Sequence, residues 1–161
     1  MSSSLIEGDL KIFQSFIDWM DIETESGLAV LDDGLENPIL ISILTNRRAD
    51  ATDTLPAVQN DRKGWWGDAL DKKGRLIGSK LWLRQNWKLT PDLVEQAKQD
   101  IEESIEWMIE DKIVDQFIVD VTISTGYKNR LEFKIVAIKE DLKTGYDYFF
   151  NWQNQLLSRN V

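Results

Sequence analysis

The chain has 161 residues, of which 42% are hydrophobic and 29% are charged, a composition typical of an ordinary globular protein. It contains no Cys and no His, which excludes disulfides, thiol nucleophiles, thiolate or imidazole metal sites and the commonest general base. The formal net charge of −9 argues against nucleic acid as the main partner, because phosphate binding depends on Lys and Arg.

Charge is distributed unevenly along the chain. Residues 46–88, which we call the basic segment, carry ten Lys or Arg and five Asp, so their net charge is +5 and the remaining residues carry −14. This segment keeps nucleic acid open as a minor alternative. The N-terminus has no secretion signal and no apolar run is long enough for a membrane span, so we expect no membrane partner and synthesis in a cytoplasm-like compartment.

The first third of the chain predicts a mixture of elements. Residues 10–20 fit either a short helix or a bent strand, and residues 27–31 are typical of a short strand that ends in a turn. A helix should follow, with Asp33 or a neighbour as its cap and Pro38 in its first turn. Its body at 39–44 is apolar on every side, which predicts a buried helix.

The basic segment is predicted to be a long loop. Residues 46–80 contain many turn formers and little periodicity, and loops of this length in compact domains are usually functional or disordered. The apolar run at 81–83 predicts that the chain returns to the core there.

The second half of the chain predicts an α+β fold. Thr90 and Pro91 are typical of a helix start, and residues 92–110 have the spacing of an amphipathic helix with an acidic outer face. Alternating apolar residues at 117–123 and 131–137 predict an antiparallel hairpin, and the aromatic tail at 146–152 is either a third strand or a projecting arm.

The predicted organisation is therefore a single α+β domain over residues 1–161. It contains a buried N-terminal helix, a long central basic loop, an acidic amphipathic helix and a C-terminal antiparallel β-hairpin or small sheet. The ends at 1–20 and 142–161 either belong to this domain or form extended arms.

The sequence marks no reactive site. The acids show no pair typical of a glycosidase, Asp32 and Asp33 lack the spacing of a calcium loop, and the glycines match neither a phosphate loop nor a dinucleotide fingerprint. We therefore predict no catalytic residues, no metal, no cofactor and no small-molecule substrate.

Two adjacent tryptophans, Trp65 and Trp66, are the most informative feature. Each indole needs a burial site, because it removes roughly 150 to 250 Å² from water. They either close the loop over the core or lie, with neighbouring arginines, in an interface. We expect one ring in the core and one in an interface, because the tight turn between Gly64 and Gly67 should make the two side chains diverge.

Three strings resemble a known family: residues 43–49 (ILTNRRA), 61–68 (DRKGWWGD) and 77–83 (IGSKLWL). Their order and spacing are similar to those of the Mu-like phage baseplate proteins, which are small wedge components of contractile tails. The resemblance covers about residues 28–139. It implies a structural, non-enzymatic subunit of the virion tail baseplate that is assembled in the host cytoplasm and joins other wedge, tube or sheath proteins.

We predict that eight residues within these strings bind partners: Arg47, Arg48, Arg62, Trp65, Trp66, Asp68, Lys80 and Trp82. Some relatives in the wider wedge family carry a lysozyme label. The alternative is therefore a lysozyme-like peptidoglycan hydrolase, or a glycan-binding tail module that uses exposed Trp rings as sugar platforms.

Overall fold

The computed structural model describes the side chains of residues 34–56, 60–84, 87–125, 130–140 and 142–148, and the backbone alone of several short strands outside these ranges. Backbone contacts divide the chain into residues 1–40 and residues 41–161, which are described separately below. That the whole chain forms one domain stays a prediction.

Residues 1–40 contain short antiparallel strand pairs. The strands are β1 (Asp9–Leu10), β2 (Ile12–Gln14), β3 (Met20–Ile22), β4 (Thr24–Glu25), β5 (Leu28–Ala29) and β6 (Leu31–Asp32). β1 pairs with β6, β2 with β3, and β4 with β5. Of the two alternatives for residues 10–20, strand is therefore the one found wherever the structure describes them.

The first helix is α1 (Glu36–Leu44), as the sequence predicts. Its predicted cap, Asp33, lies outside the described residues. Ile39 and Ile43 are buried, whereas Ile41 is 39% exposed. The expectation that this helix is buried on every side is therefore wrong for one of its faces.

The second helix is α2 (Pro91–Glu110). Thr90 has an extended backbone, and its hydroxyl accepts a hydrogen bond from the N–H of Leu93 at 3.4 Å, so it caps the helix as predicted. Its buried stripe comprises Leu93, Ala97, Asp100, Ile101, Ser104, Ile105 and Met108. α2 packs with this stripe against the sheet and against a 3-10 helix at Leu81–Arg84.

The C-terminal sheet has four antiparallel strands in the order β10–β9–β8–β7. They are β7 (Gln116–Ile123), β8 (Arg130–Lys139), β9 (Leu142–Asn151) and β10 (Leu156–Arg159). The predicted hairpin is β7–β8, although its turn at 126–129 lies outside the described residues. Residues 146–151 of the aromatic tail belong to the third strand and not to a projecting arm, and Trp152 lies outside the described residues. Val121, Phe133 and Tyr148 face one another across β7, β8 and β9 and are all buried, which confirms an α+β fold.

The basic segment is long and largely irregular, but it is ordered by local elements. It contains two 3-10 helices, Trp66–Leu70 and Leu81–Arg84. Leu81 is buried, and Trp82 and Leu83 form a small buried cluster with Ala49, so the predicted return to the core at 81–83 is confirmed. No helix in the described part of the chain has both the length and the apolar content needed to cross a membrane.

A backbone bridge joins two distant parts of the basic segment. Asn46 and Ser79 form an isolated parallel β-bridge. The N–H of Ser79 donates to the carbonyl of Thr45 at 2.9 Å, and the N–H of Arg47 donates to the carbonyl of Ser79 at 3.0 Å. The hydroxyl of Ser79 also donates to the carbonyl of Ile43 at 2.6 Å, which ties the bridge to the end of α1.

Gly78 is required at this bridge for two reasons. Its φ of +102° is a left-handed conformation that disfavours other residues. A Cβ at this position would also lie 2.2 Å from the carbonyl oxygen of Thr45. Only a residue without a side chain therefore allows the two backbones to approach.

We predict that Gly78→Ala lowers the free energy of unfolding by about 3 kcal/mol or more, because it combines backbone strain with a backbone collision. Gly74→Ala is the matched control. Gly74 has a φ of +68° but nothing within 4 Å of an added Cβ, so its substitution should cost only about 1 kcal/mol. Urea unfolding of both variants measures the difference, and equal losses would contradict the close approach at Gly78.

Candidate partner-binding surface

The string at 61–68 is attached to both other strings. The N–H of Ala49 donates to the carbonyl of Arg62 at 2.9 Å, which joins it to residues 43–49. The N–H of Ile77 donates to the carboxylate of Asp68 at 3.0 Å, which joins it to residues 77–83. The three strings that carry the family resemblance therefore meet in space, and we call this meeting point the junction.

The two tryptophans lie on the surface of the junction. Trp65 is 44% exposed and Trp66 is 76% exposed. Their ring centroids are 5.3 Å apart and the ring planes are tilted by 43°, so the rings pack against each other. The expectation that one ring enters the core is wrong, and so is the expectation that the two side chains diverge.

Gly67 explains how Trp65 is held at the surface. A Cβ on Gly67 would lie 2.1 Å from the ring of Trp65, which means that the indole lies directly across this glycine. The 3-10 helix Trp66–Leu70 then carries the next large apolar side chain outward, because Leu70 is 72% exposed. We call Trp65, Trp66 and Leu70 the aromatic patch.

Cations flank the aromatic patch. Gly64 has a φ of +106°, and an added Cβ would lie 2.9 Å from the Cβ of Arg48, so the stem of Arg48 packs beneath the residue that precedes Trp65. Arg48 is exposed and donates to the carbonyl of Lys63 at 3.4 Å. Within the described ranges, neither Arg48 nor the exposed Lys72 forms an ion pair.

Other predicted site residues hold the basic segment together. Arg62 donates to the backbone carbonyls of Asp50 and Ala51. The ammonium of Lys80 lies 2.6 Å from a carboxylate oxygen of Asp50 and 3.0 Å from one of Asp53. Burial alone would lower the pKa of Lys80, but the hydrogen bonds to these two carboxylates outweigh it and the pKa is raised.

Trp82 and Arg47 also serve the fold. Trp82 is 5% exposed, and its indole N–H donates to the carbonyl of Arg47 at 2.8 Å. The guanidinium of Arg47 lies 3.2 Å from the carboxylate of Glu103 on α2. The geometry therefore assigns the ring of Trp82 to the core rather than to a partner surface, and of the eight predicted residues it leaves Arg48, Trp65 and Trp66 facing outward.

Acids of α2 and the residue that follows it pair with four cations of the basic segment, a role that the sequence analysis does not predict. Besides the pair between Arg47 and Glu103, Arg84 lies 3.1 Å from the carboxylate of Asp100. Just after the helix, Asp111 binds both Lys73 and Arg75, the latter at 2.8 Å. The opposite charges of the basic segment and of the region around α2 therefore serve partly to bind these two parts of the chain to each other.

These contacts shift the carboxyl pKa values in opposite directions. The hydrogen bonds from Lys73 and Arg75 lower the pKa of Asp111. Burial raises the pKa of Asp100, although the pairing with Arg84 acts against it.

Asp100 does not fit the role of a glycosidase acid. A raised pKa is one property of such an acid, but Asp100 is 5% exposed and its carboxylate is bound by Arg84, so a glycan could not reach it. No group of three or more acidic side chains in the described residues is placed to hold a metal ion.

Comparison with known proteins shows that the three strings of the junction lie within the region shared by one family. The family model described as phage protein GP46 matches residues 35–144, which include all three strings. The chain belongs to this family. This confirms the resemblance to Mu-like baseplate proteins, since the relatives include proteins of phage Mu and of a Mu-like prophage.

Two relatives are informative. The baseplate protein gp46 of Escherichia phage Mu is 46% identical over 85 residues, which is 52% of this chain and 57% of that protein. The chain therefore spans little more than half the length of the Mu relative. The Mu-like prophage FluMu protein gp46 of Haemophilus influenzae is 31% identical over 130 residues, which is 80% of this chain and 85% of that protein.

The pairing of Asp111 predicts an acid-dependent loss of stability. Because its folded-state pKa lies below the ordinary value of 3.8, the stabilisation is present above that value and is lost as the pH falls through the folded-state pKa. Asp111→Asn should therefore lower the urea midpoint at neutral pH and make its decrease toward acid shallower.

Glu110→Gln is the control for this prediction. Glu110 is exposed and forms no ion pair within the described ranges, so its removal should leave the acid limb of the stability curve close to that of the wild type. If both variants flattened the curve equally, the effect would come from overall charge and not from the contacts of Lys73 and Arg75.

Proposed function

We propose that the protein is a structural subunit of a phage contractile-tail baseplate, and that it joins a wedge, tube or sheath protein through the aromatic patch. The membership of the GP46 family, with a relative named a baseplate protein of phage Mu, supports the baseplate role. The observation that carries the docking role is the exposure of Trp66 and Leu70 on one short 3-10 helix.

Exposed tryptophan at this position favours an interface. Large apolar side chains that remain exposed together mark interaction surfaces, and Trp is among the residue types most enriched at energetic hot spots. Covering Trp66 with a partner would remove most of its indole from water, which supplies several kcal/mol of gross transfer free energy at about 25 cal/mol per Å².

The patch is also held in shape before any partner binds. The ring of Trp65 lies across Gly67 and against Trp66, and Asp68 fixes the 3-10 helix to the backbone of Ile77. A surface that is already ordered avoids part of the entropy cost of binding. This rigidity supports a permanent structural contact.

The cations beside the aromatic patch would orient the partner as it binds. The guanidinium of Arg48 can meet a carboxylate through two parallel hydrogen bonds, and it forms no ion pair within the described part of the chain. Lys72, which is exposed and follows Leu70 by two residues, adds a second positive charge. Charges at the edge of an interface mainly set partner choice and encounter rate, so we expect an apolar pocket edged by carboxylates on the partner.

The two interpretations of the aromatic residues can be separated by substitution. Trp66→Ala should leave the melting temperature nearly unchanged but weaken association with its tail partner by about 2 kcal/mol or more, which is roughly 30-fold. Trp82→Ala is the control with the opposite profile, because removal of a buried indole should cost about 3 to 5 kcal/mol of stability.

The measurement is the amount of each variant recovered in tail particles, together with its thermal melt. Tail particles that contain Trp66→Ala at the wild-type level, at equal expression, would refute the docking role of the aromatic patch. If Trp66→Ala were missing from tail particles because the variant unfolds, the ring would instead contribute to the stability of the fold.

A separate assay tests the hydrolase and glycan-binding alternative. We expect the purified protein neither to clear a peptidoglycan suspension nor to bind insoluble glycan more than Trp66→Ala does. The expectation rests on the inaccessibility of Asp100 and on the tilt between the two indoles, which present no single flat platform. Clearing that disappeared on replacement of one Asp or Glu would make the protein an enzyme.

A further inference from the structure

A groove lies between α2 and β7, and the ion pair between Glu103 and Arg47 links one of its lining residues to the string at 43–49. Its volume is about 460 Å³. The residues that define its chemistry are Glu102, Glu103, Ile105, Glu106, Ile109 and Phe117. Among the described residues, no Lys or Arg lines it.

The negative charge of the groove is only partly compensated. Glu103 is paired with Arg47 at 3.2 Å. Glu102 is paired with Lys98 of the same helix, at the long distance of 3.9 Å. Glu106 has no ion pair within the described ranges. Among the described residues, the chain therefore leaves Glu106 without a cation and holds Glu102 only by a long contact.

An apolar floor distinguishes this groove from an ordinary acidic helix face. Ile105 is fully buried at its base, and Phe117 of β7 is half-buried beside it. Ile109 is 38% exposed, and its spacing from Glu102 and Glu106 places it on the same outward face of α2. Carboxylates beside exposed carbon suit a long amphipathic side chain.

We propose that this groove is a second docking surface, and that it binds a Lys- or Arg-bearing segment of another baseplate protein. The alkyl stem of the cation lies on Ile109 and Phe117, and its charged head meets Glu102 and Glu106. The inference rests on the proposed function, because it takes the partner to be a tail protein.

The two surfaces select different partners. The aromatic patch presents apolar side chains with cations beside them, whereas the groove presents carboxylates over an apolar floor. A segment that fits one surface is repelled by the charge of the other. The protein therefore acts as a connector between two chemically distinct neighbours.

Photo-crosslinking in assembled tails tests the groove. The photoreactive amino acid p-benzoylphenylalanine is placed at position 109 of the full chain, and at position 95 of the same helix as the control, because Glu95 is exposed but does not line the groove. We expect position 109, and not position 95, to crosslink to a Lys- or Arg-containing segment of another tail protein.

Three crosslinking results would overturn the proposal. They are no crosslink from position 109, a crosslink to a segment without cations, and a crosslink to a second copy of this chain. In each of these cases the proposed function would stand, because the chain would still be recovered in tails. Absence of the chain from tail particles would overturn both the groove proposal and the proposed function.

Charge-removal variants give an independent measurement. The crosslinked segment is synthesised as a peptide and its binding to the full chain is measured. Glu102→Gln/Glu106→Gln should weaken the peptide five- to tenfold at low salt, a loss expected for about two exposed charge contacts. Glu95→Gln/Glu110→Gln changes the net charge equally outside the groove and should alter binding less than about twofold.

Both double variants should retain the wild-type melting temperature and the wild-type association through Trp66. If the control pair weakened the peptide as much as the groove pair, the attraction would be a general effect of net charge and the groove proposal would fail.

Discussion

The backbone bridge between Asn46 and Ser79 is the constraint on which the basic segment depends. The bridge exists because Gly78 lets its chain approach the backbone of Thr45 more closely than a side chain would permit. Once the bridge has formed, Trp82 is placed so that its indole reaches the carbonyl of Arg47. The string at 61–68 then attaches to both sides through backbone and carboxylate hydrogen bonds. The exposed tryptophans are therefore carried by a fixed support and not by a free loop.

The internal charge pairs give this support its position on α2. Two of these pairs lie on the helix itself, where Arg84 meets Asp100 and Arg47 meets Glu103. The third lies just beyond its end, where Asp111 binds both Lys73 and Arg75. Exposed pairs each contribute little free energy, and the buried carboxylate of Asp100 loses much of its Coulomb gain to desolvation. Their combined effect is to fix the register between the segment and the helix. Glu106, which takes no part in this pairing, remains on the outward face and lines the groove.

The sequence predicts those parts of the fold that are encoded by local periodicity. Thr90 and Pro91 mark the start of α2, and the alternation of β7 and β8 marks the hairpin, because each signal lies within one turn or one strand pair. The location of Trp65 and Trp66 could not be predicted in this way, since it depends on contacts between strings far apart in the chain. One signal for these two rings was nevertheless present, because Gly67 provides space beneath a neighbouring indole. The leucines on either side of Trp82 were a signal that this third ring is buried. The position of Asp100 within a helical stripe that carries no other charge was a signal for its pairing with Arg84.

The aromatic patch and the groove use different physics, which suits a connector. A rigid, apolar anchor such as Trp66 mainly slows dissociation, because its contacts are lost only when the indole returns to water. The carboxylates of the groove act at longer range, so they mainly orient an approaching cationic segment and raise the encounter rate, and salt weakens them. In the proposed connector, the groove would capture one neighbour through charge and the aromatic patch would retain another through apolar burial. The bridge at Gly78 and the pairs along α2 join the two regions, so the side chains of both proposed surfaces are held by contacts within the chain, which would reduce the entropy cost of binding.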